Sequence, residues 1–101
     1  MNAIYTLNEI KNKLSDIFTE YNVKKAMVFG SYARGDADNS SDLDIVVDSD
    51  KRLLNLSLFG LGSSIEDTLG ISVDIFEINE IVNEGALDNA IKNEGVVIYG
   101  I

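Results

Sequence analysis

The chain contains no cysteine, no histidine and no proline. Without cysteine there is no disulfide framework, no thiolate nucleophile and no zinc–thiolate site. The lack of histidine excludes more. Any general base has to be Asp, Glu, Lys or Tyr, and any metal site has to be built from oxygen, which suits Mg²⁺, Mn²⁺ or Ca²⁺ rather than zinc or copper. With no proline there is no proline-rich linker, and the chain carries neither internal repeats nor low-complexity segments. No apolar run approaches the ~18 residues that cross a bilayer, and the N-terminus lacks the basic-then-apolar pattern of a signal peptide, so no membrane association and a cytoplasmic location are expected. Positive charge is scarce as well: 8 Lys and Arg stand against 17 Asp and Glu, a net charge of −9. Such a chain is not expected to grip nucleic acid directly, because that affinity comes from cations neutralising phosphates. The acid excess favours basic partners or divalent metals instead.

What the chain does have is enough apolar residue, 46% of 101, for one modest core, so residues 1–101 are expected to form a single domain. Thr6-Leu7-Asn8-Glu9 has the form of a capping box. Leu7, Ile10, Leu14, Ile17, Phe18 and Tyr21 then recur at helical spacing, which predicts an amphipathic helix over 7–21 with Asn22 as its stop. Strands are predicted from Lys24 to Phe29 and from Leu43 to Val47, the second continuously apolar after Asp44 and therefore buried on both faces. Leu53, Leu54, Leu56, Phe59, Leu61, Ile65 and Leu69 suggest a second helix, weakened by Gly60 and Gly62 and closed by Gly70. A third strand is predicted over 71–76, a last helix over 84–93 with Gly95 as its stop, and a final strand over 96–99. Alternating helices and strands give a small α/β or α+β sheet domain.

The chemistry concentrates between Gly30 and Asp44. An apolar run leads into Gly30-Ser31-Tyr32-Ala33-Arg34-Gly35, and a second begins inside Asp42-Leu43-Asp44. Glycine at a strand end permits a tight turn and a close ligand approach. If Ser31 to Arg34 open a short helix, their free N–H groups form an anion site. On that basis Gly30→Val should block phosphate while leaving the core folded; the alternative is a plain strand-to-turn glycine. The Gly30-x-x-x-x-Gly35 spacing is not a P-loop, because Asp36-Ala37 follow where Lys and Ser or Thr are required. Asp42 and Asp44, two apart in a strand, share one face, with Leu43 and Ile45 on the other. Two carboxylates so close repel each other, and a divalent cation removes the penalty; a solvated loop with Asp42 as a cap is the simpler alternative. Asp36-x-Asp38-x-Ser40 mimics the start of a calcium loop, but Ser41 and Val47 stand where Gly and Glu are needed. Asp74, between Val73 and Ile75, is costly in a buried strand unless it is paired or metal-bound; the alternative is an edge strand that turns it to solvent. Glu77 is a secondary candidate of the same sort. Arg34 can hold a triphosphate oxygen through its fork, or tie the loop to Asp36 or Asp38. The Leu-rich segment 53–61 is read as a core helix, with a partner-binding face as the alternative.

Gly30-Ser31, ten intervening residues, Asp42-Leu43-Asp44 and then Asp74 resemble the minimal nucleotidyltransferases of the polymerase-beta-like superfamily. The likeness extends to Ala33-Arg34-Gly35, Ser41-Asp42, the opening helix and the closing segment Gly95 to Tyr99. It implies a mixed sheet flanked by helices, two Mg²⁺ ions held by Asp42, Asp44 and Asp74, and ATP as substrate. It also implies that Gly30 and Ser31 hold the β and γ phosphates, and that Asp74 is the base or a ligand of the nucleophile-side metal. Members this small are commonly encoded beside a HEPN-domain RNase toxin. The resemblance therefore implies an antitoxin that moves AMP from ATP to a toxin tyrosine, in a hetero-oligomer with that toxin. Two other functions remain open: an antitoxin that neutralises by binding alone, and nucleotidyl transfer to a small molecule. A templated polymerase fits least, for want of basic surface.

Overall fold

The computed structural model of the chain describes residues 4–100. Helix α1 runs Leu7–Glu20 and β1 runs Lys25–Phe29; a four-residue helix α2, Ser31–Arg34, precedes β2, Leu43–Asp48. Helix α3, Leu56–Leu69, leads to β3, Val73–Glu77, and a 3-10 turn over Ile78–Glu80 precedes α4, Ala86–Glu94, and β4, Val96–Tyr99. The sheet order is β3-β2-β1-β4. Its β1–β2 and β1–β4 ladders are antiparallel, and β2–β3 is parallel. Parallel neighbours need a crossover, and α3 supplies it. The small mixed sheet flanked by helices is the architecture expected above. Among the described residues no helix is long and apolar enough to cross a membrane.

Local chemistry sets most element ends. At the start of α1 the Glu9 N–H donates to Thr6 Oγ1 (3.1 Å) and the Thr6 N–H donates to Glu9 Oε1 (2.9 Å), completing the capping box. Asn22 ends the helix in the left-handed region at φ 58°, which asparagine tolerates better than most residues. Gly70 closes α3 with φ 71°.

Helix α3 begins three residues later than Leu53, where its apolar periodicity starts. Asp50, Lys51 and Asn55 adopt positive φ, and the Leu53 N–H is taken by Ser49 Oγ at 3.0 Å, so the backbone turns before it can coil. Leu53 and Leu61 enter the core, whereas Leu56 and Phe59 stay 84% and 73% exposed. The segment is therefore partly a core helix and partly an uncovered apolar face. Gly62 has a packing role: a Cβ there would lie 2.9 Å from Ile75 Cγ2, so its lost helix propensity lets α3 approach β3.

Strand β2 is buried on both sides, as its apolar run predicts. Ile10, Leu14 and Phe18 of α1 and Leu61, Ile65 and Leu69 of α3 pack with Ile45 and Val47 on one face. On the other, Ile91 of α4 joins Phe29 and Val46, with Phe76 and Leu87 at the margin. Asp44 alternates with Val46, so it lies on the α4 side of the sheet.

Glu77 is a structural residue, contrary to its place among the candidate site acids. It is the last residue of β3 and only 1% exposed. Its carboxylate accepts from the Ser49 N–H (2.8 Å), Ser49 Oγ (2.6 Å), the Asn79 N–H (2.6 Å) and Asn79 Nδ2 (2.9 Å). Burial alone would raise its pKa, but these donors outweigh burial and hold it below the ordinary 4.5. A carboxylate with a depressed folded pKa contributes stability above its unfolded value, and that stability is lost as pH falls through the folded value. Glu77→Gln, which cannot accept from all four donors, should lose about 1–3 kcal/mol at pH 7. Urea denaturation across pH 3 to 7 should show a flatter acid limb for the variant than for the wild type.

Candidate active site

The site forms where three strands end side by side. Asp44 on β2 stands opposite Phe29, the last residue of β1, and on its other side it is the register partner of Asp74 on β3. Gly30, directly after Phe29, lies so close that a Cβ on it would overlap Asp44 Oδ2. Gly30, Asp44 and Asp74 thus form a row across one end of the sheet. Asp42 lies two residues upstream of Asp44, exposed and just before the strand begins.

Asp44 carries the strain of this crowding. Its carboxyl is pushed up to about 6, first by burial, then by the charges of Asp74 and Asp42 and by a hydrogen bond with Asp74; the Arg34 guanidinium offsets part of the rise. Among the described residues no three acid side chains are gathered at metal-holding geometry. Asp44 and Asp74 meet as register partners, and Asp42 acts on Asp44 through its charge.

Burial is not what makes Asp74 unusual. It is exposed, on an edge strand, as the simpler alternative held; its distinction is its seat beside Asp44. Gly30 also departs from expectation. With φ 76° and ψ −152° it occupies a region essentially restricted to glycine, and any side chain would meet Asp44. Gly30→Val should therefore damage the fold and the site together, not phosphate access alone.

Ser31 opens α2, the short helix anticipated after Gly30, and the turn ends at Gly35 in the left-handed region. Arg34 has the tethering role. Its Nε donates to Asp36 Oδ2 at 3.2 Å and its Nη1 to Glu94 Oε2 at 2.7 Å, joining α2 to the end of α4. Asp38, the other tether considered, accepts instead from the Ser40 N–H and Oγ and from Ser41 Oγ. Those bonds hold its pKa below the ordinary carboxylate value. The apparent start of a calcium loop is thus an Asx turn that leads the chain into Asp42. The Asp38-x-Ser40 spacing carried that signal. Nothing local announced Glu94, sixty residues from Arg34.

Residues 12–101 match the family model of polymerase beta nucleotidyltransferases. A Methanocaldococcus jannaschii relative, proposed to be a protein adenylyltransferase, is 39% identical over 90 residues, covering 89% of this chain and 95% of its own. The protein adenylyltransferase MntA of Thermococcus cleftensis is 36% identical over 77 residues, covering 72% of this chain and 78% of its own. Among solved structures, a toxin–antitoxin complex with AMP-PNP superposes with TM-score 0.80 at 22% identity, covering 90% of this chain and 73% of that one. The Shewanella oneidensis complex of a tri-AMPylated HEPN toxin with its MNT antitoxin gives TM-score 0.75 at 19% identity, covering 95% and 74%. At those identities the solved structures bear on fold alone.

The raised pKa of Asp44 sets a sign for stability. The folded state holds its proton more tightly than the unfolded chain does, so stability falls as pH rises from about 4 to about 6. Asp44→Asn removes the buried charge and should be the more stable form at pH 7.5 in chelator-treated buffer. The gain is on the order of 1–2 kcal/mol after allowance for solvent screening, or roughly 4–8 °C in Tm per kcal/mol. Calorimetry at pH 7.5 and pH 4 checks it: the difference should vanish at the lower pH. A less stable Asp44→Asn at pH 7.5 would contradict the account of the crowded pair.

Proposed function

We propose that this chain, which belongs to the polymerase beta nucleotidyltransferase family, transfers AMP from ATP to a tyrosine hydroxyl of a HEPN-domain RNase toxin and acts as its antitoxin. The observation that carries this reading is the row Gly30, Asp44 and Asp74: a glycine turn packed directly against one of two carboxylates that repel each other. The adenylyltransferase names of its relatives and the toxin–antitoxin complexes among its structural neighbours support it.

The donor set fits Mg²⁺. Every candidate ligand is a carboxylate oxygen, and the repulsion that raises Asp44 is what a divalent cation relieves. Asp42, Asp44 and Asp74 would hold two ions, and Mg²⁺ when bound supplies positive charge against the triphosphate and the departing pyrophosphate. The protein's own groups do the rest. Gly30 lets the turn lie against Asp44, and the backbone N–H groups of Gly30 and Ser31 would hold the β and γ phosphates. Asp74, exposed on the edge strand, accepts the proton of the incoming hydroxyl. The hydroxyl oxygen bonds to the α-phosphorus as its bond to the oxygen bridging to the β-phosphate breaks, and pyrophosphate leaves with the electron pair. Arg34 can serve the triphosphate only by exchanging Asp36 or Glu94 for a phosphate oxygen.

Incubation with ATP, Mg²⁺ and a cognate HEPN-domain toxin should add AMP to a tyrosine, seen by mass spectrometry, and suppress RNase activity. Asp42→Asn should lower transfer by about 10²-fold or more, since stabilisation of transition-state charge is worth several kcal/mol and ~1.4 kcal/mol is tenfold in rate. If the wild type leaves the toxin's mass unchanged and Asp42→Asn still neutralises it, the chain is a binding antitoxin instead.

A further inference from the structure

The strand that carries Asp74 is an edge strand, and its outer side opens into a groove of about 410 Å³. The groove is walled by apolar side chains from both faces of the sheet: Leu58 and Ile75 from the α3 side, Phe76 and Leu87 from the α4 side, with Ile81 and Val82 beyond the strand's end. Val82 is 75% exposed at its rim. The Leu43 N–H donates to the Ser72 carbonyl. By strand alternation, Val73 and Ile75 therefore direct their backbone N–H and C=O groups away from β2. The Val73 N–H is capped by Glu66 Oε2 at 2.9 Å, which closes the edge at that end. The groups of Ile75 open onto the groove.

We propose that this groove receives an extended segment of the acceptor protein, which pairs with β3 as an added strand and so delivers its hydroxyl to Asp74. The proposal rests on the protein-acceptor reading above. An unpaired strand edge flanked by apolar pockets is the usual receptor for such pairing. Charge selects the occupant. The Glu77 carboxylate is buried among its own donors, but the exposed Glu80 lines the groove and no Lys or Arg does, so the segment it fits joins apolar residues to a basic one. A second copy of this chain fits poorly: it would bring a net charge of −9 to a groove whose exposed charge is Glu80. Position links the groove to the chemistry. Ile75 follows Asp74 directly on β3, so a strand paired at Ile75 has its next residue beside the Asp44–Asp74 pair.

Val82 is exposed and apart from the acid row, so charge can be placed there without touching the core. Val82→Lys should weaken binding of the HEPN-domain protein at least tenfold, measured by titration calorimetry, and lower AMP transfer in parallel. Val82→Asp should weaken it less, because it loses apolar contact but suits a basic segment. Both variants should bind an ATP analogue within twofold of wild type. Hydrogen exchange at the Ile75 amide should slow in the wild-type complex. Wild-type affinity in both variants, or unchanged exchange at Ile75, would overturn the docking surface. So would a wild-type dimer in sedimentation that Val82→Lys dissociates while toxin binding is retained. Transfer that survives both variants would overturn the docking surface and leave the transfer reading intact. Tight binding with Ile75 protected and no AMP added would do the reverse.

Discussion

Asp44 and Asp74 are held side by side by the parallel ladder between β2 and β3, and like charges at directly neighbouring sheet positions oppose that pairing. Hydrophobic burial elsewhere on the same strands keeps them there. Ile45 and Val47 are locked against α1 and α3, and Val46 against Phe29 and Ile91. A slip of one residue would turn Asp44 into the main core and Ile45 out of it, so the register cannot relax to separate the acids. Glu77 fixes the other end of the same ladder by gathering Ser49 and Asn79. One carboxylate of β3 is therefore fully satisfied and structural, while another, three residues earlier, is left facing Asp44. The contrast is one of donors: Glu77 has four, and Asp74 has an acid for a neighbour.

Around this pair the chain gives up local stability for approach. Gly30 takes a backbone conformation that side chains avoid, and in return the turn passes against Asp44 with nothing between them. Gly62 gives up helix propensity so that α3 lies against Ile75, which seats β3 and hence Asp74. Arg34 clamps the turn to the end of α4 through Glu94. Since Ile91 of that helix also covers Phe29 and Val46, α2, α4 and β2 are tied together beside the acids.

The opening on β3 follows from the same topology. Placing the parallel strand at the sheet's end gives Asp74 one occupied side and one free side. The occupied side supplies Asp44, and the free side leaves Asp74 exposed. A central position for β3 would have surrounded Asp74 with paired strands.

Much of this was legible in the order of the residues, and for identifiable reasons. The capping box, the stops at Asn22 and Gly70, the doubly buried β2 and the turn at Gly30 are each decided within a few residues by hydrogen bonding, periodicity or steric freedom. The spacing of Gly30-Ser31, Asp42-x-Asp44 and Asp74 pointed to the family for the same reason: a glycine turn and closely spaced carboxylates are local patterns. The rest depended on contacts between distant segments. The start of α3 waited on a Ser49 hydroxyl that also serves Glu77, 28 residues away. The same partnership made Glu77 structural, and Glu94 captured Arg34 across sixty residues. Most of all, the apolar pattern of β3 marks a strand without marking its place in the sheet. Only the packed crossover through α3 put that strand at the edge, beside Asp44 and open to solvent, because strand order is set by how helices cover the sheet and not by any one strand's own residues.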